Sequence, residues 1–141
     1  MPPLSRAFVK SGFVALLLAL LGEVLQVRPA GLWPALPAAA LHLTALHLLT
    51  GGWLLQVIAG VAYWMFPRHR TDPPRGNAAP GWAAWALLNS GLLFRVVGEP
   101  WRLGGQGPAW PLQLAALLQL VAVLLLVVLL WPRIRAMPGQ D

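Results

Sequence analysis

The segment LHLTALHLLTGGWLLQVIAGVAYWMFPR, which runs from Leu41 to Arg68, decides what kind of protein this is. It is apolar enough to lie in lipid, yet it carries two histidines, His42 and His47, in its first half. An imidazole inside a membrane span is costly, and such residues usually mark a partner or a functional site. The sequence therefore raises two linked questions: whether the chain spans a membrane, and what the histidines bind.

The composition of the chain is that of a membrane protein. Of its 141 residues 58% are hydrophobic and only 10% are charged, whereas charged residues make up about a quarter of a soluble domain. This length predicts one domain. The chain contains no cysteine, which excludes disulfides, thiolate metal sites, iron–sulfur clusters and covalent c-type haem. The net charge of +6 needs no nucleic-acid partner, because membrane topology explains it.

Four apolar runs predict an all-α fold, an integral membrane four-helix bundle that forms one domain over residues 1–141. Each run is near the ~20 residues that a bilayer core requires, and the expected spans cover about residues 8–27, 38–66, 81–97 and 111–131. Prolines are expected at helix starts or just beyond helix ends, which places Pro100 after the third helix. The second run would be about 43 Å long at 1.5 Å per residue, so it must tilt or project beyond the lipid.

Basic residues lie mainly on one side of this four-span arrangement. The side that holds both termini has Arg6, Lys10, Arg68, Arg70, Arg75, Arg133 and Arg135, and the other side has Arg28 and Arg102. This asymmetry predicts that both termini are cytoplasmic. In an alternative interpretation the first run is a signal peptide, because Arg6 and Lys10 precede a Leu-rich stretch. Its removal would leave three spans.

Polar residues of the predicted spans converge on the outer half of the bundle. They are Glu23, Gln26, His42, His47, Arg95, Glu99, Gln113 and Gln119, with Asn89 near the middle. The inner half is nearly bare apart from Thr50 and Gln56. Because polar groups inside a membrane usually have a function or a partner, this cluster is the candidate site.

The two histidines point to metal or haem chemistry. Neutral imidazole is a common axial ligand of haem iron and also binds copper and zinc. His42 and His47 lie about 140° apart around a helix, so they cannot clamp one haem from both faces. Gly51, one turn from His47, would let a flat macrocycle approach the backbone, and Arg95 could meet a haem propionate or Glu23. Two copies of the chain could also hold a haem between them.

The same residues allow a structural interpretation. A transmembrane histidine can simply hydrogen-bond a neighbouring helix, and glycines such as Gly51 can serve close helix packing. Arg95 and Glu99 form an i,i+4 pair that could do no more than anchor the helix end. His69 is expected to be a solvated loop residue. A copper or zinc site at His42 and His47 is disfavoured, because helical metal motifs use i,i+4 spacing.

Two stretches resemble small bacterial membrane proteins related to haem-copper oxidase subunit I. HLLTGGWLLQVIAGVAYWMFPR, from His47 to Arg68, resembles the histidine-bearing helix of that group, and the NnrS-like nitric-oxide-response proteins have a similar helix. LLNSGLLFRVVGEPW, from Leu87 to Trp101, resembles the helix that follows. The resemblance implies a haem-binding helical bundle in a bacterial inner membrane, and it makes His47 the matching histidine. Many relatives have another histidine two residues earlier, where this chain has Ala45.

We therefore expect a multi-pass protein that binds haem b in its outer half and handles electrons or a diatomic gas, in respiratory or nitric-oxide chemistry. The expected cofactor-binding residues are His47, His42, Gly51 and Arg95, with His47 and His42 as metal ligands. Oxygen reduction by this chain alone is not expected, because its other helices lack the histidines that an oxidase needs. The expected partners are the lipid bilayer, a second copy and a respiratory redox partner. The alternative is an accessory or assembly subunit of a respiratory complex without a cofactor.

Overall fold

The computed structural model describes residues 1–27, 38–66, 77–105 and 107–134. They form four long helices, α1 (Pro3–Gln26), α2 (Ala38–Met65), α3 (Ala79–Leu103) and α4 (Trp110–Leu130), and a short 3-10 turn, Trp131–Arg133. The described residues contain no strand, so the predicted all-α class is confirmed. Some residues named above lie outside the described ones, namely Arg28, Arg68, His69, Arg70, Arg75 and Arg135.

Prolines lie at the starts of three helices, but no proline lies just beyond the end of α3. Pro3, Pro80 and Pro111 lie in the first turns of α1, α3 and α4, where the missing N–H is harmless. The expectation that Pro100 follows the third helix is wrong, because α3 continues through Pro100 to Leu103. Pro100 removes only one backbone hydrogen bond near the helix end, and its own carbonyl accepts one from the Gly104 N–H at 3.0 Å.

Three of the described helices, α1, α2 and α4, are long and apolar enough to cross a membrane. α3 is 25 residues long but carries Asn89, Arg95 and Glu99, which make it less apolar. Only 17% of the most apolar stretch of α4 is buried. Such a continuous exposed apolar surface is unusual for a protein in water and is typical of one in lipid.

The bundle is closed at one end and open at the other. We call the end with residues 1, 66, 79 and 134 the terminal end, and the opposite end the distal end. At the terminal end all four helices share one core, made of Leu4, Phe8, Ala59, Tyr63, Ala84, Leu88, Ala122 and Leu126. The distal core comes from α1, α2 and α3 only and contains Ala15, Ala19, Leu48 and Leu92. The distal half of α4 therefore packs on α3 alone, where Gly91 and Gly98 permit close approach.

A cleft between α2 and α4 results from this packing. No Cα atom of residues 38–54 of α2 lies within 8 Å of a Cα atom of α4, and α3 lies between the two helices there. Nearer the terminal end α2 and α4 border a separate apolar groove of about 350 Å³, lined by residues such as Leu55, Ile58, Val123 and Val127.

Arg133 ties the ends of α2 and α4 together. Its side chain is 1% exposed, and its Nη2 donates hydrogen bonds to the carbonyl oxygens of Tyr63 at 3.0 Å and Phe66 at 2.9 Å. The guanidinium carbon also lies 4.9 Å from the centre of the Tyr63 ring. The last carbonyls of a helix lack partners within the helix, and a cation there is favourable. Arg133 therefore caps α2, whereas the sequence indicated only a topology-setting charge.

A π-helical segment, Leu48–Leu54, interrupts α2 directly after His47. In an uninterrupted α-helix His47 and Gln56 would lie about 180° apart at 100° per residue. A helix with i→i+5 hydrogen bonds turns less per residue. As a result both side chains reach α3, His47 at Glu99 and Gln56 at Asn89. The segment therefore places two polar layers on one face of α2, which the sequence pattern did not predict.

Candidate functional site

A buried carboxylate, that of Glu99 on α3, is the centre of the candidate site. Its side chain is 1% exposed. Its Oε2 accepts a hydrogen bond from Thr44 Oγ1 of α2 at 2.7 Å, and its Oε1 accepts one from Arg95 Nη1 at 3.0 Å. A buried carboxylate is tolerated only when it is paired and hydrogen-bonded. Both oxygens of Glu99 meet that requirement.

Arg95 links this cluster to α4. Its Nε donates a hydrogen bond to Gln119 Oε1 at 2.9 Å, so α2, α3 and α4 are joined through side chains. The sequence offered Glu23 and the i,i+4 residue Glu99 as protein partners for Arg95, and the structure pairs Arg95 with Glu99 and with Gln119. Two of the five guanidinium N–H groups of Arg95 donate hydrogen bonds to described residues. The side chain is 18% exposed. Donors therefore remain for an anionic group.

His47 is held through one ring nitrogen. Its Nδ1 lies 2.9 Å from Glu99 Oε1 and 2.9 Å from the Leu43 carbonyl oxygen. The hydrogen bond of Nδ1–H goes to the Leu43 carbonyl oxygen, whereas the Glu99 oxygen is a close contact outside hydrogen-bond geometry. Because a carbonyl oxygen can only accept, Nδ1 carries the proton of the neutral ring. The lone pair is then on Nε2, which bonds to no described residue. Histidines that ligate metals usually donate their other N–H to a carboxylate or a carbonyl in this way.

His47 faces the α2–α4 cleft. Ala45 and Gly52 lie on the side of α2 that packs on α1. A Cβ added to Gly22 of α1 would lie 3.5 Å from Ala45 Cβ, and a Cβ added to Gly52 would lie 2.7 Å from Ala15 Cβ of α1. His47 lies about 200° around the helix from Ala45, on the opposite side. Its side chain is 30% exposed there. The imidazole is therefore partly exposed on the side of α2 that faces away from α1.

Gly51 leaves space beside His47. A Cβ on Gly51 would meet only Leu92 Cδ2, at 3.9 Å, whereas a Cβ on Gly52 would clash with Ala15. Gly52 is therefore the close-packing glycine, and Gly51 provides room one turn from the imidazole. The role of Gly51 in admitting a flat cofactor stays a prediction.

His42 belongs to a different contact. Its Nδ1 lies 3.1 Å from Glu23 Oε1 of α1, and the two side chains are 54% and 46% exposed. The histidines therefore face different neighbours, as their spacing indicated. Among the described residues no three or more His, Cys, Asp or Glu side chains form a group that could hold a metal ion.

A second polar layer lies closer to the terminal end. Gln56 and Asn89 exchange amide hydrogen bonds at 3.2 and 3.3 Å, and Trp85 Nε1 donates to Ser11 Oγ at 3.0 Å. Ser11 Oγ in turn donates to Gln56 Oε1. Ser11 and Trp85 were not predicted as members, although a serine in an apolar helix is a signal. This layer closes on itself and serves helix packing.

The predicted convergence of polar residues on one half of the bundle is therefore found in part. Three helices supply the cluster of Thr44, His47, Arg95, Glu99 and Gln119, whereas α1 supplies Glu23 to a separate pair. The other half was expected to have few polar residues apart from Thr50 and Gln56. That expectation missed Ser11 and Trp85, which join Gln56 and Asn89 in the second polar layer.

Comparison of the chain with protein-family models, with curated proteins and with solved structures found no match. The resemblance to haem-copper oxidase subunit I and to the NnrS-like proteins therefore depends on the quoted stretches of α2 and α3.

Proposed function

We propose that this chain is a multi-pass protein of a bacterial inner membrane that binds haem b in the α2–α4 cleft. Its task would be to handle electrons or a diatomic gas in respiratory or nitric-oxide chemistry. The observation that carries the proposal is the state of His47. Its Nδ1 faces two acceptors, Glu99 Oε1 and the Leu43 carbonyl oxygen, which leaves the Nε2 lone pair at an open cleft.

The residues around the cleft suit a haem in three further respects. Arg95 retains N–H donors that match a propionate carboxylate. Gly51 leaves open space one turn from His47. Nearer the terminal end the groove between α2 and α4 is apolar, and a macrocycle edge that extended into it would contact hydrocarbon.

The bound haem would supply redox or gas-binding chemistry, and the protein would supply the ligand, the dielectric environment and access. The Leu43 carbonyl accepts the Nδ1–H of His47 and so orients the ring. Arg95 is neutralised by Glu99, so the cluster adds no net charge to the cleft when His47 is neutral.

A second copy of the chain is part of the proposal. One described histidine lies at the cleft, and His42 faces α1 instead. A second axial ligand would therefore come from a partner subunit, which could approach the open distal part of the cleft across a twofold axis.

The test is the visible absorption spectrum of the full-length protein, purified in detergent from cells with ample haem. We expect a Soret band that shifts on dithionite reduction, and a pyridine haemochrome spectrum that identifies haem b. Purified protein without haem would refute the proposal.

We also propose four spans with both termini in the cytoplasm, from the distribution of basic residues. Reporter fusions at the C-terminus and within residues 68–80 are expected to report a cytoplasmic location. Fusions near residues 104–107 are expected to report a periplasmic location. A periplasmic C-terminus would contradict this topology.

A second candidate function is an accessory or assembly subunit of a respiratory complex that has no cofactor. This second function is favoured by the fact that the polar cluster is satisfied within the chain. Thr44, Arg95 and His47 Nδ1 all contact the Glu99 carboxylate. Such a network can simply hold helices together. The absorption spectrum separates the two functions.

A further inference from the structure

We propose that the apolar groove between α2 and α4 near the terminal end binds one acyl chain of an anionic phospholipid. We call it the terminal groove. One wall extends along α2 from Leu55 to Phe66, the other extends from Val123 of α4 to Ile134, and the volume is about 350 Å³. The proposal involves neither the histidines nor a haem. It rests on the helices that are long and apolar enough to cross a membrane.

The length of the terminal groove matches one leaflet of a bilayer. Each wall is about 16 Å long at 1.5 Å per residue, and half of a hydrocarbon core is about 15 Å thick. Trp131 lines the groove at its terminal end and is 71% exposed, and Trp64 and Trp82 are also exposed at this end of the bundle. Exposed tryptophans are typical of the interface between water and hydrocarbon. The groove therefore runs from that interface to about the bilayer midplane, as an acyl chain does.

The width of the terminal groove suits a single hydrocarbon chain rather than a helix. Its volume and length correspond to a cross-section of about 22 Å², whereas a helix about 10 Å wide has a cross-section of about 80 Å². The lining side chains are aliphatic or aromatic. Water is absent from the hydrocarbon region, and an empty groove would lose the dispersion contacts of its lining atoms. A flexible acyl chain fills the groove and restores those contacts.

The charges at the terminal end favour a phospholipid with an anionic headgroup. The described residues of this half include three basic side chains, Arg6, Lys10 and Arg133, whereas the two described carboxylates, Glu23 and Glu99, lie in the distal half. Arg133 is buried where it joins the ends of the two groove walls. Basic residues near a membrane surface attract anionic lipids. The headgroup is therefore expected at the terminal end, with its acyl chain in the groove.

The chain provides matched variants that fill the terminal groove or leave it open. Ala62 is partly buried and lines the groove, whereas Ala83 of α3 is exposed and lines none of the described cavities. A62L and A83L therefore make the same change inside and outside the groove. On the other wall, V127F would fill the groove, and V128F changes the neighbouring exposed residue, which does not line it.

The experiment is native mass spectrometry of the purified full-length protein with added dioleoyl phosphatidylglycerol, or with dioleoyl phosphatidylcholine as the neutral lipid. We expect one phosphatidylglycerol per chain, bound at least about fivefold more tightly than phosphatidylcholine, which is the effect of one basic residue near the membrane surface. In A62L this affinity is expected to fall at least about tenfold, because the leucine displaces about two methylenes of the acyl chain from the groove. A83L is expected to match the wild type.

The inference would be overturned by wild-type protein that binds no phospholipid, by equal affinities for the two lipids, or by equal affinities of A62L and A83L. A wild-type dimer that A62L converts to a monomer, with lipid binding unchanged, would show that a second copy occupies the groove and would also overturn it. If A62L does not accumulate, V127F is compared with V128F, and only V127F is expected to lose the lipid. Equal lipid binding by these two variants would contradict the proposal.

Discussion

Replacing His47 with alanine is expected to abolish the Soret band of the purified protein, while the chain still inserts and stays soluble in detergent. Alanine removes the Nε2 lone pair, and no second described histidine lies at the α2–α4 cleft to replace it. The fold should persist, because the shared core of the four helices at the terminal end does not include His47. Haem content per protein, measured from the pyridine haemochrome spectrum, is the quantity to compare.

His42→Ala is the matched control for this change. His42 contacts Glu23 and faces α1, so its loss should leave the spectrum of a site within one chain intact. If His42 of a second copy supplies the sixth ligand, the variant should instead convert a six-coordinate low-spin haem to a five-coordinate one. Full haem in His47→Ala together with haem loss in His42→Ala would show that the haem site exists but that His47 is not its ligand.

Replacing Arg95 with leucine is expected to cause the largest loss of stability among single changes in the cluster. The change leaves Glu99, 1% exposed, without its cationic partner, and it also removes the hydrogen bond to Gln119 on α4. Breaking a buried pair by removing one partner typically destabilises by about 3–5 kcal/mol. Thermal unfolding followed by circular dichroism, together with the yield of monodisperse protein, measures the effect.

Arg102→Leu and a double variant complete this test. Arg102 is exposed near the end of α3 and donates one 3.3 Å hydrogen bond to the Gly107 carbonyl, so its loss should change stability by about 0.5 kcal/mol or less. Arg95→Leu combined with Glu99→Leu should recover much of the lost stability, because no charge is then left buried alone. Equally small effects of Arg95→Leu and Arg102→Leu would mean that Arg95 only anchors the helix end.

The helices themselves follow from the sequence alone. Apolar runs of about 20 residues and prolines at their starts predict four helices, and the structure has four in its described part. The divergence of His42 and His47 was likewise predictable, because five residues of regular helix separate them by a set angle. These features depend on backbone hydrogen bonding and local spacing, which are properties of one segment at a time.

The partners of the polar residues were decided only by the tertiary structure. The sequence offers two carboxylates near Arg95, and the choice of Glu99 over Glu23 depends on α3 continuing in regular helix through Pro100 and on α1 facing the other side of α2. The burial of Arg133 likewise depends on where α2 ends relative to α4.

The π-helical segment and the cleft also lie beyond what the sequence determines. The sequence of Leu48–Leu54 predicts a regular α-helix. The π-helical segment that forms there instead brings both His47 and Gln56 into contact with α3. The α2–α4 cleft exists because glycines of α3 allow α4 to pack closely on α3. The Cα atoms of residues 38–54 of α2 all lie more than 8 Å from those of α4. Each of these features depends on how several helices pack together. The contacts that stabilise this packing join segments that are distant in sequence.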